Sequence, residues 1–264
     1  MKFLNKNFDE LEIFAQSKKD EYIGGFPFPH IVIDNFFNDF ILNNILNEFP
    51  NNLDNIGYQY KTKVEQKKFT LNDSKLLSEN INNFLNFLNS QIFLNFLQTL
   101  TGINEKLQSD PYLEGGGLHE LKNDGFLNIH ADFNLHPTLK LDRRLNILIY
   151  LNKDWEDSFG GNLQLWDKDM LKCEKKIIPI FNPMVIFLLQ IFPIMEILIR
   201  LIAPKIKVES QLQCIIIQTG DLHTNENLVI IQQFLEKDLV QATLMVMLNL
   251  KNYLEKFIIE INKK

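Results

Sequence analysis

The sequence predicts an α+β protein, a jelly roll or β-sandwich with helices of the N-terminal part packed on one sheet. Three observations lead there. From about residue 113 to residue 187 the chain breaks into short apolar runs separated by turn residues, the rhythm of a sandwich. Between about Asp73 and Leu100, Leu and Phe recur every three or four residues, the helical period. The chain has 264 residues, enough for a sizeable core.

Residues 1–25 read as a short amphipathic lead-in. Ile31-Val32-Ile33-Asp34 is a short strand, and Asn38 or Asp39 caps a helix through Ile41, Leu42, Ile45 and Leu46 to Phe49. Residues 53–73 read as polar and irregular. One long helix is expected from about Asp73 to Leu100, stopped by Thr101-Gly102. LEGGGLHEL then reads as a strand kinked by glycine, and FLNIHAD as a second strand. RLNILIYLN is apolar on both faces, so it should be central. NLQLW, KKIIPIFN and MVIF complete the series.

Composition narrows the function classes. The net charge is −6, with both signs mixed along the chain and no basic block to suggest nucleic acid. The two cysteines, Cys173 and Cys214, are far apart and lack metal-ligand spacing, which fits a reducing, cytoplasmic setting. The opening MKFLNKNFDELEIF is broken by charges and lacks a signal-peptide apolar core. Met184 to Ala203 is nearly long enough to span a bilayer. Glu196 and Arg200 within it argue against a span.

The chemistry points to His130-Ala131-Asp132. On a strand, residues i and i+2 share a face, so this pair aims an imidazole and a carboxylate at one point. A second histidine from a distant strand would complete a two-His-one-carboxylate triad, which leaves positions open on Fe(II). The other histidines read differently. His30 is structural or exposed, His119 a pocket-wall or packing residue, and His136 a turn residue. His223 lies in a turn-like TGDLHT context and reads as accidental. Gly115-Gly116-Gly117 lacks the lysine and the strand-to-helix setting of a phosphate loop. Arg143 and Arg144 open a buried strand and should pair with carboxylates, with an anchoring role for a co-substrate the less favoured reading.

The segments FPFPHIVIDNFF, GFLNIHADFN, LDRRLNILIYLN, GGNLQLWD and IIPIFNPMVIF together resemble the prolyl 4-hydroxylase-like branch of the Fe(II)/2-oxoglutarate dioxygenases, over roughly residues 26–187. The resemblance implies a double-stranded β-helix, with His130 and Asp132 as iron ligands. It places Asn146 and Tyr150 on the strand lining the co-substrate pocket. It implies Fe(II) as metal, 2-oxoglutarate as co-substrate and ascorbate as an auxiliary reductant. The substrate would be peptidyl, such as a prolyl residue, or a small molecule such as a sugar. No nucleic-acid or membrane partner is expected, and the oligomeric state is left open.

The chain departs from the family after IIPIFNPMVIF. The family shows there a strand reading like Ser-Asp-Phe-Ser-Tyr-His-Gly, followed by an arginine or lysine for the 2-oxoglutarate carboxylate. This chain reads LLQIFPIMEILIR and has no histidine. The third base of each codon joined to the first two of the next tells another story. In that frame, codons from Leu189 to Glu196 permit Ser-Asp-Phe-Ser-Tyr-His-Gly, the histidine straddling Ile194 and Met195. Codons from Lys207 to Ile217 permit Ser-Arg-Lys-Ser-Ile-Ala-Met-Tyr-Tyr-Tyr, the arginine straddling Val208 and Glu209. One base lost near Ile186-Phe187 explains both. The expected organisation is therefore a helical region with a leading strand over 1–105, a core carrying the His-x-Asp motif over 106–187, and a divergent, frameshifted tail over 188–264. A non-catalytic remnant and a chain anchored in a membrane by Met184–Ala203 stand as the alternatives.

Overall fold

A computed structural model describes residues 3–5, 10–60, 65–128, 130, 132, 135–167, 171–189, 201–202 and 212–222. The described residues fall in one compact unit, Met1–Ile191 with Met195–Leu222. A second unit, Phe192–Ile194 with His223–Lys264, lies outside them. The codon-straddled histidine at Ile194-Met195, the arginine at Val208-Glu209 and His223 also lie outside the described residues.

The elements run α1 (Leu11–Ile23), β1 (His30–Asp34), α2 (Asp39–Asn47), α3 (Leu53–Ile56), β2 (Tyr58–Tyr60), β3 (Glu65–Leu71), α4 (Glu79–Leu88) and α5 (Gln91–Thr101). They continue with β4 (Gly117–Leu127), β5 (Leu141–Leu151), β6 (Leu163–Trp166), β7 (Cys173–Ile177), β8 (Phe181–Leu188), β9 (Leu201–Ile202) and β10 (Leu212–Leu222). The large sheet has the order β1-β8-β5-β10-β4-β3-β2, with β9 against the end of β4. β6 and β7 form a second, two-stranded sheet. All the pairings are antiparallel. β5 is central, as its two-sided apolar pattern predicts.

Two apolar clusters cover the two faces of the large sheet. Leu145, Ile147, Ile149, Met184 and Ile186 point towards the helices and join Phe36, Phe37, Phe84, Phe93 and Phe96. Leu148, Tyr150, Val185 and Phe187 point the other way and join Trp155, Leu163, Leu165 and Ile177, which include residues of β6 and β7. The alternation follows from the two-residue period of a strand. Each enclosed phenylalanine contributes roughly 2–3 kcal/mol by leaving water.

Four expectations need correction. The helix expected from Asp73 to Leu100 is two helices. Ser78 accepts from Ile81 N–H to cap α4, and Ser90 accepts from Phe93 N–H to start α5. Residues 53–73 are not irregular, for they contain α3, β2 and β3; β3 pairs with β4 although five of its seven side chains are polar. The two strands expected at 113–121 and 126–132 are one, β4. Its register against β3 slips between Gln66 and Lys68, so residues 122–125 bulge, with Asp124 at φ 58. His130 and Asp132 consequently lie past the end of β4 and are in no strand.

The expected helix ends at Asn38 and Gly102 hold. Asn38 caps α2 by accepting from Phe40 N–H, and Gly102 ends α5 in the left-handed conformation. Gly117 has φ +93, and a Cβ there would come within 2.4 Å of Leu71 O. That close approach of β4 to β3 explains the glycine. No helix among the described residues is long and apolar enough to cross a membrane, and Met184 to Leu188 belong to β8.

Candidate metal centre

His130 and Asp132 are brought together without a strand beneath them. His130 Nε2 lies 3.4 Å from Asp132 Oδ1. The other ring nitrogen, Nδ1, lies 2.8 Å from Asn128 O. A carbonyl only accepts, so Nδ1 carries a proton in either charge state; Nε2 faces Asp132 with an N–H when the ring is charged and with its lone pair when it is neutral. Histidine ligands of metals are commonly oriented by a carbonyl in this way. The second carboxylate oxygen, Oδ2, accepts from Asn146 Nδ2 at 2.8 Å. Asn146 stands on β5 opposite Phe187, and Phe187 opposite His30, so the three form one row across the sheet.

Charge organises the pair further. Burial disfavours the imidazolium of His130, but the Asp132 carboxylate outweighs it and holds the pKa above its ordinary value. Burial works against the Asp132 carboxylate too. His130, Arg143 and Lys68 overcome it and hold the group below the usual range. Asp132 is therefore an anion at neutral pH, ready for a cation. Imidazole nitrogen and carboxylate oxygen converging on one point suit a divalent first-row metal. The donor types fit, but there are two of them: among the described residues no group of three His, Cys, Asp or Glu side chains could hold a metal ion.

The remaining predicted residues sort clearly. Tyr150 is fully buried in the cluster between the two sheets. Burial of His119 drives its pKa down to about 3, so its imidazole is neutral. Its Nε2 lies 3.2 Å from Gly116 O, and its Nδ1 has no hydrogen-bond partner. His30 is buried, with Nδ1 donating to Phe28 O at 2.8 Å. Arg144 pairs with Glu105 at 3.7 Å, as expected of a strand-opening arginine. Arg143 is 2% exposed, and its charge acts on Asp132. The sequence reading missed the contact of His136 with Asp110, 3.1 Å apart and both buried. No spacing rule links residues 26 positions apart, so only the fold reveals it.

The family model described as the 2OG-Fe(II) oxygenase superfamily matches residues 116–193, the stretch from β4 through β8 that carries His130 and Asp132. No curated protein matches the chain. Among solved structures, the chain is similar to a prolyl hydroxylase from Trichoplax adhaerens, captured with a hypoxia inducible factor peptide fragment. The TM-score is 0.57 at 14% identity, over 81% of this chain and 92% of that one. A Pseudomonas putida prolyl-4-hydroxylase gives 0.56 at 11%, over 80% and 100%. A Phytophthora capsici prolyl 4-hydroxylase gives 0.57 at 19%, over 88% and 75%. The matched stretch is similar to that superfamily, and these solved structures, at 11–19% identity, show a shared fold. Enzymes of this superfamily depend on Fe(II) and 2-oxoglutarate.

Proposed function

We propose that this chain derives from an Fe(II)- and 2-oxoglutarate-dependent oxygenase that hydroxylates a peptidyl or small-molecule substrate in the cytoplasm, on a double-stranded β-helix. The observation that carries the reading is the convergence of His130 Nε2 and Asp132 Oδ1 at 3.4 Å inside the segment matched to the superfamily. His130 and Asp132 would hold the iron, and Asn146 would keep the carboxylate turned towards it. Tyr150, enclosed on the same face of β5, would border the co-substrate. Bound iron with 2-oxoglutarate and oxygen supplies the oxidising power for attack on a C–H bond. The protein's share is orientation and exclusion of water.

A specific observation favours a second reading, a non-catalytic product of a broken frame. The codons after Phe187 permit, in one constant alternative frame, the strings that contain the second histidine and the basic anchor. In this reading residues 188–264 replace the rest of the core. β10 runs antiparallel between β5 and β4, so the region is spatially central to the sheet.

Resequencing the codons from Met184 to Arg200, followed by succinate release from 2-oxoglutarate with Fe(II), tests both readings. A chain with one thymine restored should release succinate only when iron is present, and the present chain should be at least roughly a hundredfold slower. Iron-independent release, or none from the restored chain, would remove the oxygenase reading. Codons incompatible with the hidden histidine would remove the frameshift.

A further inference from the structure

We propose that the buried Asp110–His136 pair positions the chain that carries His130 and Asp132, acting as its rear anchor. This inference rests on the metal-centre reading for its purpose, though not for its geometry.

Asp110 is a junction. Its Oδ1 accepts from Tyr112 N–H at 2.9 Å and its Oδ2 from Glu114 N–H at 2.7 Å. Its own N–H donates to Asn89 Oδ1 at 2.9 Å, at the end of α4. The carboxylate is thereby fixed to the helical layer and to the loop leading into β4. His136 is fixed just as firmly. Its Nδ1 accepts from Thr138 N–H at 3.2 Å and Leu139 N–H at 3.0 Å. Two donors on Nδ1 put the ring proton on Nε2, which lies 3.1 Å from Asp110 Oδ1. Nε2 makes no hydrogen bond there, so the close contact of the two buried groups carries the link. His136 N–H also donates to Leu141 O, and Leu135 pairs with Asp142 at the foot of β5.

Three residues lie between Asp132 and His136, four peptide steps that span at most about 14 Å. Holding the His136 backbone therefore keeps Asp132 within that radius of it. At the front, β4 ends at Leu127, three residues before His130. A metal pair set in no strand needs both ends of its chain held, because a misplacement of about 1 Å is costly at such a site. Asp110 and His136 hold the rear end from the helical layer.

His136→Asn separates the two functions of the ring. The Asn carbonyl can still accept from the 138 and 139 N–H groups, but it does not reach Asp110. His136→Gln offers a longer side chain whose N–H can. Hydrogen exchange of a peptide covering 127–135 and Co(II) affinity are the readouts. Asn38→Ala, which removes the cap of α2, serves as a control that is destabilised outside the junction. In His136→Asn, exchange should quicken and Co(II) affinity fall, each about tenfold, with His136→Gln recovering part of the loss. Asn38→Ala should alter neither. Where His136→Asn does not fold, Asp110→Asn carries the test with the same expected direction. Parent-like exchange over 127–135 in a folded variant would overturn the proposal. Failure of the parent chain to bind Co(II) would instead count against the metal reading, and the exchange result would still decide the anchor.

Discussion

Asn146 Nδ2 donates to Asp132 Oδ2 at 2.8 Å, so a residue of the central strand β5 fixes the carboxylate of a motif that has no strand of its own. Asn146 is 2% exposed and its neighbours Leu145 and Ile147 are fully buried. The donor therefore cannot drift. This link turns a pair of adjacent side chains into a defined site.

Asn146→Ala should weaken divalent-metal binding about tenfold, the usual scale for a group that orients a metal ligand. Its thermal stability should change little, since a single hydrogen bond contributes about 1 kcal/mol. Isothermal titration with Mn(II) on both proteins checks this. Equal affinities would show that Asp132 needs no orientation.

Glu120 gives a pH prediction. Its side chain is fully enclosed, and neither carboxylate oxygen has a hydrogen-bond partner. Burial pushes its pKa up from 4.5 to about 7, against the pull of Lys122 and aided by Asp54. The folded state thus holds this proton more tightly than the unfolded state. Stability is complete below the unfolded value of 4.5 and is lost as pH rises through about 7. Glu120→Gln should match the parent near pH 5 and exceed it by about 2 kcal/mol near pH 8. Urea denaturation at the two pH values checks it. A variant no more stable at the higher pH would show the carboxylate to be solvated.

The helical layer should respond to its caps. Ser78 and Ser90 each accept a backbone N–H at a helix start, at 3.3 and 3.4 Å. Replacing either by Ala should cost about 1 kcal/mol, and the double variant about twice that if the two sites act independently. Chemical denaturation measures both.

Gly117→Ala should be more harmful than any cap change. The position has φ +93, and the new Cβ would stand 2.4 Å from Leu71 O, a backbone atom that cannot turn aside. A loss of about 2 kcal/mol or more is expected, seen as a lower melting temperature. An unchanged melting temperature would mean that β3 and β4 can separate there freely.

Much of this was legible in residues, and the exceptions have physical causes. β5 announces its centrality because it buries both faces, and Asn38 and Gly102 mark their helix ends by their own chemistry. The split between α4 and α5 is masked because apolar spacing continues across Asn89-Ser90, and only the capping role of Ser90 reveals it. β2 and β3 escape because β2 is a three-residue edge strand and β3 beside it carries five polar residues in seven, so neither shows an apolar alternation. His130 and Asp132 are legible as a motif, but their setting is not. The register slip at 122–125, after which β4 runs only to Leu127, depends on its partner strand. The Asp132–Asn146 and Asp110–His136 links join distant positions and can be read only from the fold.

The central claim is that His130 and Asp132 together hold a divalent metal. Titrating Co(II) into the chain and into its Asp132→Asn variant, with the cobalt absorption bands as readout, tests it most directly. The account predicts binding by the chain and at least a tenfold loss in the variant, the scale expected when a ligand is removed. Binding of equal strength in the two proteins would contradict it.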